Sequence, residues 1–312
     1  MRIAVFGTGG AGGYFGSLLA KAGEEVIFMA RGDHLRAIRE NGLVGETADG
    51  EIRVAPARAT DSPGDAGLAD LVLVGVKAWQ VSEAAAAMRP MVGPETSVIP
   101  MQNGVEAAQQ LAAVLGPLPV LNGLCGTFSW VAGPGRIRNI GTSNFIRFGE
   151  CDNSRSGRVE RLLQMFIAAG INAEVPGDHQ ALWMKFLAVT AFGGIGALTR
   201  APIGVLRSVP QTRRLLERCL EEVCGLATAH GIGLSPAAIA ETLGFFDKLP
   251  PGGTTSLQRD IADGKPSELD YWNGAVVRLA ADKAVPVPIH ELIFDLLMPL
   301  ERQARGTLVF PA

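Results

Sequence analysis

Ile3, Ala4, Val5 and Phe6 form a short apolar run that stops abruptly at Gly7, and no other stretch constrains the fold of this chain as tightly. Consecutive apolar residues at this length suit a strand buried on both faces, as in a parallel sheet. The residues that follow, Gly7, Thr8, Gly9, Gly10, Ala11 and Gly12, fit G-x-G-x-x-G through Gly7, Gly9 and Gly12. Each of those three has a steric reason: Gly7 permits a tight turn, Gly9 lets backbone approach a pyrophosphate, and Gly12 lets a helix pack closely on the strand. The helix opening there is expected to run to about Ala22 and stop at Gly23, with its positive end toward a phosphate. Glu24 and Glu25 then lead to a second apolar strand, Val26 to Ala30, which completes a βαβ unit of dinucleotide-binding size.

The rest of the chain sets broad limits. At 312 residues with 47% hydrophobic content it has material for two domains. A net charge of −3, a pI near 5.9 and no block of like charge argue against nucleic acid or an anionic membrane surface as partner. Cys125, Cys151, Cys219 and Cys224 lack metal-ligand spacing, so no metal site is expected and buried thiols in a reducing cytosol are the plain reading. The apolar N-terminal run is too short for a secretory signal, and the most apolar segment, Phe186 to Leu198, is too short to span a bilayer. A soluble cytoplasmic protein acting on a small molecule is expected.

After the second strand comes Arg31, where an NAD-preferring fold places an acidic residue for the ribose hydroxyls. A guanidinium there removes a carboxylate that repels a 2′-phosphate and supplies a fork that binds one, which points to NADPH; the plainer reading is a solvated surface charge. Asp33 to Glu40 reads as a short helix, and Leu43 to Val54 as a hairpin turning at Asp49-Gly50. The strand Leu71 to Val76 ends at Lys77, ahead of Gln80 and a helix through Met88. The strand Thr96 to Pro100 ends ahead of Asn103-Gly104 and a helix from Val105 to Leu115. Side chains at the carboxyl ends of such strands face the ligand crevice of a doubly wound sheet, though Asn-Gly is equally a plain turn.

Several strand-like runs between Val120 and Phe148, turning at Gly133-Pro134-Gly135, are expected to close the sheet edge, before a helix (Arg158 to Ala169) and a strand around Ala173 to Val175. Near Pro176-Gly177 the alternation gives way to helices, with windows at Thr212 to His230, Pro236 to Asp247, Leu269 to Ala281 and Ile289 to Ala304. The expected architecture is an α/β N-terminal Rossmann-type doubly wound sheet, residues 1–176, plus an all-helical C-terminal domain, residues 177–312. The C-terminal helices supply either the core of that domain or the interface of a homodimer. Lys248 to Thr255, rich in Pro and Gly, is the expected mobile segment.

Two places in the helical half invite chemistry. Lys185 lies inside an apolar helix, where it either snorkels to solvent or faces a cleft; a partly desolvated lysine has a lowered pKa and can protonate a developing alkoxide. Ser267 reads as an N-cap, with Glu268 and Asp270 supporting the dipole of the helix that follows.

Taken together, these segments resemble the ketopantoate reductases (2-dehydropantoate 2-reductases) along nearly the whole chain. The likeness rests on the GTGGAG loop, Arg31, Val76-Lys77-Ala78-Trp79-Gln80, Gln102-Asn103-Gly104, Leu182-Trp183-Met184-Lys185, Ser256 to Ile261, and Ser267 to Gly274. The resemblance implies NADPH-dependent reduction of a 2-oxo acid to a 2-hydroxy acid, as in pantothenate biosynthesis. It implies Lys185 as general acid, and Glu268 as the group that binds a substrate hydroxyl and helps orient Lys185. It also implies Asn103 bridging cofactor and substrate, Arg31, Lys77 and Gln80 at the adenosine phosphate, and Ser256 on the substrate. Members of that family carry asparagines one and two helical turns after the lysine, whereas this chain has Val189 and Gly193, a change that alters what the pocket favours. Two other readings stand beside it: a related reductase of a different carbonyl compound, and a non-catalytic NADPH-binding sensor.

Overall fold

The structure, a computed structural model, describes residues 1–141 and 144–311. It divides into two compact units, residues Met1–Gln102 with Glu106–Asp178, and residues Asn103–Val105 with His179–Ala312.

The first unit is built on β1 (Arg2–Phe6), α1 (Gly10–Lys21), β2 (Glu25–Met29), α2 (Gly32–Asn41), β3 (Leu43–Thr47), β4 (Gly50–Val54), β5 (Arg58–Thr60), α3 (Pro63–Ala66), β6 (Leu71–Val74), α4 (Val81–Ala87), β7 (Ser97–Pro100) and α5 (Ala107–Leu115). It is completed by β8 (Leu121–Gly126), β9 (Ser129–Gly133), β10 (Arg136–Asn139), β11 (Phe145–Glu150), α6 (Gly157–Ala168) and β12 (Asn172–Glu174). Its main sheet is parallel throughout, in the order β5-β2-β1-β6-β7. The chain therefore winds outward from β1, returns, and continues from β6 on the other side. That reversal between β1 and β6 is the switch point at which doubly wound sheets hold ligands.

Because successive side chains in a strand point to opposite faces, each central strand feeds two cores. Ile3, Val5, Phe28, Leu71 and Leu73 pack on one side with Phe15 and Leu19 of α1 and Leu35 and Ile38 of α2. Ala4, Phe6, Ile27, Val72 and Val74 pack on the other with Val81 and Ala85 of α4 and Leu111 of α5. The continuous apolar runs are thus the signature of burial on both faces.

The strands between Val120 and Phe148 do not simply close that sheet. β9 and β10 form the expected hairpin around Gly133-Pro134-Gly135, but β10 then pairs in parallel with β3, making a separate sheet β4-β3-β10-β9. β8, β11 and β12 make a third sheet, in the order β12-β11-β8, linked to β7 by one bridge between Val98 and Val120. The β3–β4 hairpin turns where Asp49-Gly50 predicts.

Among the described residues the second unit holds helices and no strand: α7 (Gln180–Thr199), α8 (Ile203–Ser208), α9 (Pro210–Ala229), α10 (Ala237–Lys248), α11 (Ser256–Ala262), α12 (Asn273–Lys283) and α13 (Pro288–Ala304). α7 is longer than its most apolar segment suggests and, by length and composition alone, could cross a membrane. It is instead a core helix here, with Trp183, Phe186, Leu187, Phe192 and Ile195 buried among α9, α12 and α13. The inward faces of α9 (Leu216, Leu220, Val223) and α13 (Ile293, Leu297) build that core, while Leu292 and Leu296 of α13 remain exposed.

Three further expectations are corrected. The helix predicted from Leu269 to Ala281 is a 3-10 turn, Leu269–Tyr271, followed by α12; the break falls at Trp272, whose backbone (φ −105, ψ −86) is not helical. The Pro- and Gly-rich stretch from Lys248 to Thr255 is tied down, with the Pro251 and Gly253 carbonyls accepting from Gly204 and Ile203 N–H, and Arg207 donating to the Leu249 carbonyl at 2.8 Å. Cys125 and Cys219 are buried, but Cys151 is exposed.

Candidate functional site

The glycine run folds as the turn from β1 into α1. Gly7 has φ +104, and an added Cβ would lie 2.7 Å from the Val76 nitrogen, so conformation and surroundings both exclude a side chain. Gly12 is held as closely, with the Gly7 carbonyl oxygen 2.2 Å from its Cβ position, and at Gly10 the obstacle is the Ser129 carbonyl oxygen of β9 at 2.3 Å. Gly9 differs. A Cβ there would meet nothing nearer than the Gly75 carbonyl oxygen at 4.0 Å, so packing within the protein does not account for the missing side chain. Gly9 is also the N-cap of α1 and supplies no side chain to that helix's first amides. A clear face over uncapped N–H groups at a helix start is what a pyrophosphate requires, and the loop fits a dinucleotide.

The loop is fixed from two sides. Thr8 is buried, and its N–H and Oγ both donate to the Met29 carbonyl at the end of β2, at 3.0 and 2.9 Å. His34, near the start of α2, stands 2.9 Å through Nε2 from the Thr8 carbonyl, while Gly135 in the β9–β10 turn donates its N–H to Nδ1 at 3.0 Å. With Nδ1 accepting, the ring is neutral and donates through Nε2. Burial pushes its pKa below the ordinary value, and the Thr8 carbonyl opposes that shift. Since the unfolded chain then takes up the proton first, the stability linked to His34 is complete above about pH 6.5 and is lost as pH falls through the folded pKa. We expect Tm to drop on acidification from pH 7 toward pH 5, before carboxylates titrate, and His34→Gln, which can keep both hydrogen bonds, to flatten that slope. Equal slopes in thermal melts of the two proteins would count against it.

Arg31 is exposed at the N-cap of α2, two residues past β2. Lys77 and Gln80 follow β6 in a turn closed by hydrogen bonds from Gln80 N–H to the Lys77 carbonyl (2.9 Å) and from Lys77 N–H to Gln80 Oε1 (3.3 Å). Lys77 Nζ also lies 5.6 Å from the centre of the Trp79 ring. The glycine loop, Arg31 and Lys77 thus stand beyond the carboxyl ends of three adjacent strands, β1, β2 and β6. Gln102, which sequence reasoning noticed only as part of a matching stretch, ties the same edge. Its Nε2 donates to the Val74 and Val76 carbonyls at 2.8 Å each, and its buried Oε1 has no partner.

Asn103, Lys185, Ser256 and Glu268 all fall in the second unit. Asn103 and Lys185 are half-buried, and Lys185 is the sole charged residue of α7. One turn on, Val189 is half-buried too. A further turn on, the Gly193 Cβ position lies 2.7 Å from the ring of Trp272, itself 1% exposed, so that ring fills the space a side chain would need. Ser256 opens α11, whose start is capped by Thr255 Oγ accepting from Gln258 N–H at 3.2 Å.

Glu268 is 8% exposed, and its carbonyl accepts from the N–H groups of Tyr271 and Trp272 at 3.0 Å each. Ser267 keeps a cap-like bond, its Oγ accepting the Leu269 N–H at 3.3 Å, although Glu268 occupies the N-cap of the 3-10 turn. The backbone N–H and hydroxyl of Ser267 are taken by Glu301 of α13, and Asp270 pairs with Arg278 at 2.8 Å rather than serving only a helix dipole. Glu301 lies 34 residues further along the chain, where no local signal reveals it, while Arg278 is eight residues from Asp270. Among the described residues no group of three or more His, Cys, Asp or Glu is arranged to hold a metal ion.

Residues 3–153 match the family model described as ketopantoate reductase PanE/ApbA, and residues 179–301 match its C-terminal counterpart. The chain belongs to the ketopantoate reductase family. Among its relatives, a 2-dehydropantoate 2-reductase of Mesorhizobium japonicum is 30% identical, covering 96% of this chain and 98% of that protein. A PanE/ApbA family ketopantoate reductase from Ralstonia eutropha JMP134 superposes with a TM-score of 0.88 at 31% identity, over 98% of this chain and 100% of that one. A D-mandelate dehydrogenase, solved with NADH and anilino(oxo)acetate, shares the fold with a TM-score of 0.89 at 21% identity, over 98% of this chain and 99% of that one. Ketopantoate reductase-type oxidoreductases thus share both halves of this chain, the Rossmann-type sheet and the helical unit.

Proposed function

We propose that this protein is an NADPH-dependent reductase that converts a 2-oxo acid, ketopantoate in the first instance, into the 2-hydroxy acid. The observation that carries the reading is Lys185: one charged side chain in an otherwise uncharged core helix, and half-buried there. Partly desolvating a lysine in an apolar helix costs free energy that a functional role can justify. In this reading Gly7, Thr8, Gly9, Gly10, Ala11 and Gly12 hold the pyrophosphate, Arg31, Lys77 and Gln80 serve the adenosine phosphate, and Asn103 contacts both cofactor and substrate. The bound cofactor supplies the hydride for the keto carbon. Lys185 Nζ hydrogen-bonds the keto oxygen, stabilises the charge that develops on it and gives it a proton, then regains one from water. Ser256 and Glu268 bind the remainder of the acid. Turnover of NADPH with ketopantoate by the purified protein is the direct test, and no consumption with ketopantoate or any related 2-oxo acid refutes the assignment.

The NADPH preference rests on Arg31 standing beyond β2 where an acidic residue would exclude a 2′-phosphate. A charge-assisted hydrogen bond is worth about 1.5–3 kcal/mol, so Arg31→Ala is expected to raise Kd for NADPH by about 10- to 100-fold. NADH binding should change by less than about twofold, since it lacks the phosphate. Equal losses in fluorescence titrations would remove the 2′-phosphate from Arg31.

Val189 and Gly193 favour a second reading, reduction of another 2-oxo acid by the same apparatus. The space beside Gly193 is filled by the buried Trp272 ring, so no side chain from that position can hydrogen-bond a substrate. Comparing kcat/KM for ketopantoate with that for 2-oxo acids lacking a 4-hydroxyl decides between them.

A further inference from the structure

We propose that Glu301 and Arg305 act as a positioning clamp for Glu268, an inference that rests on the role given to Glu268 above. Glu301 is 3% exposed, an unusual place for a carboxylate, and its oxygens are held by two residues, Ser267 and Arg305. They accept the Ser267 N–H at 3.0 and 3.2 Å, the Ser267 hydroxyl at 2.5 Å, and Arg305 Nε at 2.6 Å. Arg305 in turn donates through Nη2 to the Ser267 carbonyl at 3.0 Å. Every polar group of Ser267 is therefore held by two side chains one turn apart at the end of α13.

Ser267 immediately precedes Glu268. On the far side the Glu268 carbonyl accepts two N–H groups, so the backbone is pinned on both flanks of that one residue. An ion pair with one partner exposed is a weak source of stability, but charge-assisted hydrogen bonds to the buried Glu301 carboxylate fix geometry sharply. The clamp is aimed at the residue whose carboxylate has to be held in one place. Glu301 and Arg305 touch neither substrate nor cofactor in this scheme; they act through Glu268 as positioning residues.

A double-mutant cycle tests this. Glu301→Gln keeps the shape and removes the charge, and it is expected to lower kcat/KM for the 2-oxo acid by about tenfold, with Kd for NADPH unchanged. In a Glu268→Ala background the same change should matter less than about twofold, because the group it positions is gone. Equal losses in both backgrounds, or no loss in either, overturn the clamp. Should Glu301→Gln not fold, Arg305→Ala breaks the exposed arm and is read the same way. If Glu268→Ala itself leaves turnover unchanged, the role of Glu268 fails instead. The clamp is then judged by amide hydrogen exchange, which Glu301→Gln should speed by about tenfold or more across residues 267–272 and leave alone in α1. Unchanged exchange there overturns it.

Discussion

Lys185→Ala is expected to lower kcat by about 10²- to 10⁴-fold, the range that loss of a positioned general acid produces. Cofactor affinity should stay within about twofold, because Lys185 is assigned to the keto oxygen and the mutation removes an interaction that matters in the transition state. Steady-state kinetics with NADPH and the best 2-oxo acid, alongside a fluorescence titration of NADPH, give both numbers. A variant that turns over like the parent would remove Lys185 from the chemistry. The alanine leaves α7 intact as a helix, since Ala is the best helix former and the neighbouring core residues Trp183, Phe186 and Leu187 are untouched. A fall in activity would therefore report on chemistry and not on folding, and an unchanged Tm would establish that.

The second large effect separates two glycines that look alike in sequence. Gly12→Ala drives a Cβ to 2.2 Å from the Gly7 carbonyl oxygen, where only backbone can yield, and we expect it to cost about 3 kcal/mol of stability or more and to abolish dinucleotide binding with it. Gly9→Ala meets nothing closer than 4.0 Å. It should leave stability within about 0.5 kcal/mol while weakening NADPH by about 100-fold, as the methyl takes the space a pyrophosphate needs. Thermal melts and NADPH titrations of the pair test this; if Gly9→Ala binds NADPH as tightly as the parent, the phosphate does not approach at Gly9.

Much of this was legible in the sequence because the signals are local. An apolar run, a glycine turn, a helix and a second apolar run follow one another within thirty residues, so β1, α1 and β2 fall within a residue or two of their predicted bounds. The second sheet was not legible. Arg136 pairs with Val44, and nothing near either residue announces a parallel partner at such separation. The same reason hides the true role of Ser267. Its residue type fits an N-cap, and only the return of α13, 34 positions later, supplies the carboxylate that claims it. His34 escaped notice as well, since a histidine in a charged surface helix reads as solvated until its ring is found bridging Thr8 and Gly135. At Gly193 the sequence marks an absence of side chain, and only packing reveals that a tryptophan ring from elsewhere in the unit fills it.

The two-sided burial of β1 bears on how damage to this protein would be read. Ile3 through Phe6 alternate between separate cores, so the strand has no tolerant face, and the glycine loop is its direct continuation. A saturation screen scored on activity alone would return one unbroken band of intolerance from residue 3 to residue 12. It would be two bands with different causes, the first lost to the fold and part of the second to the ligand, and only a parallel screen for abundance in the cell would draw the border between them.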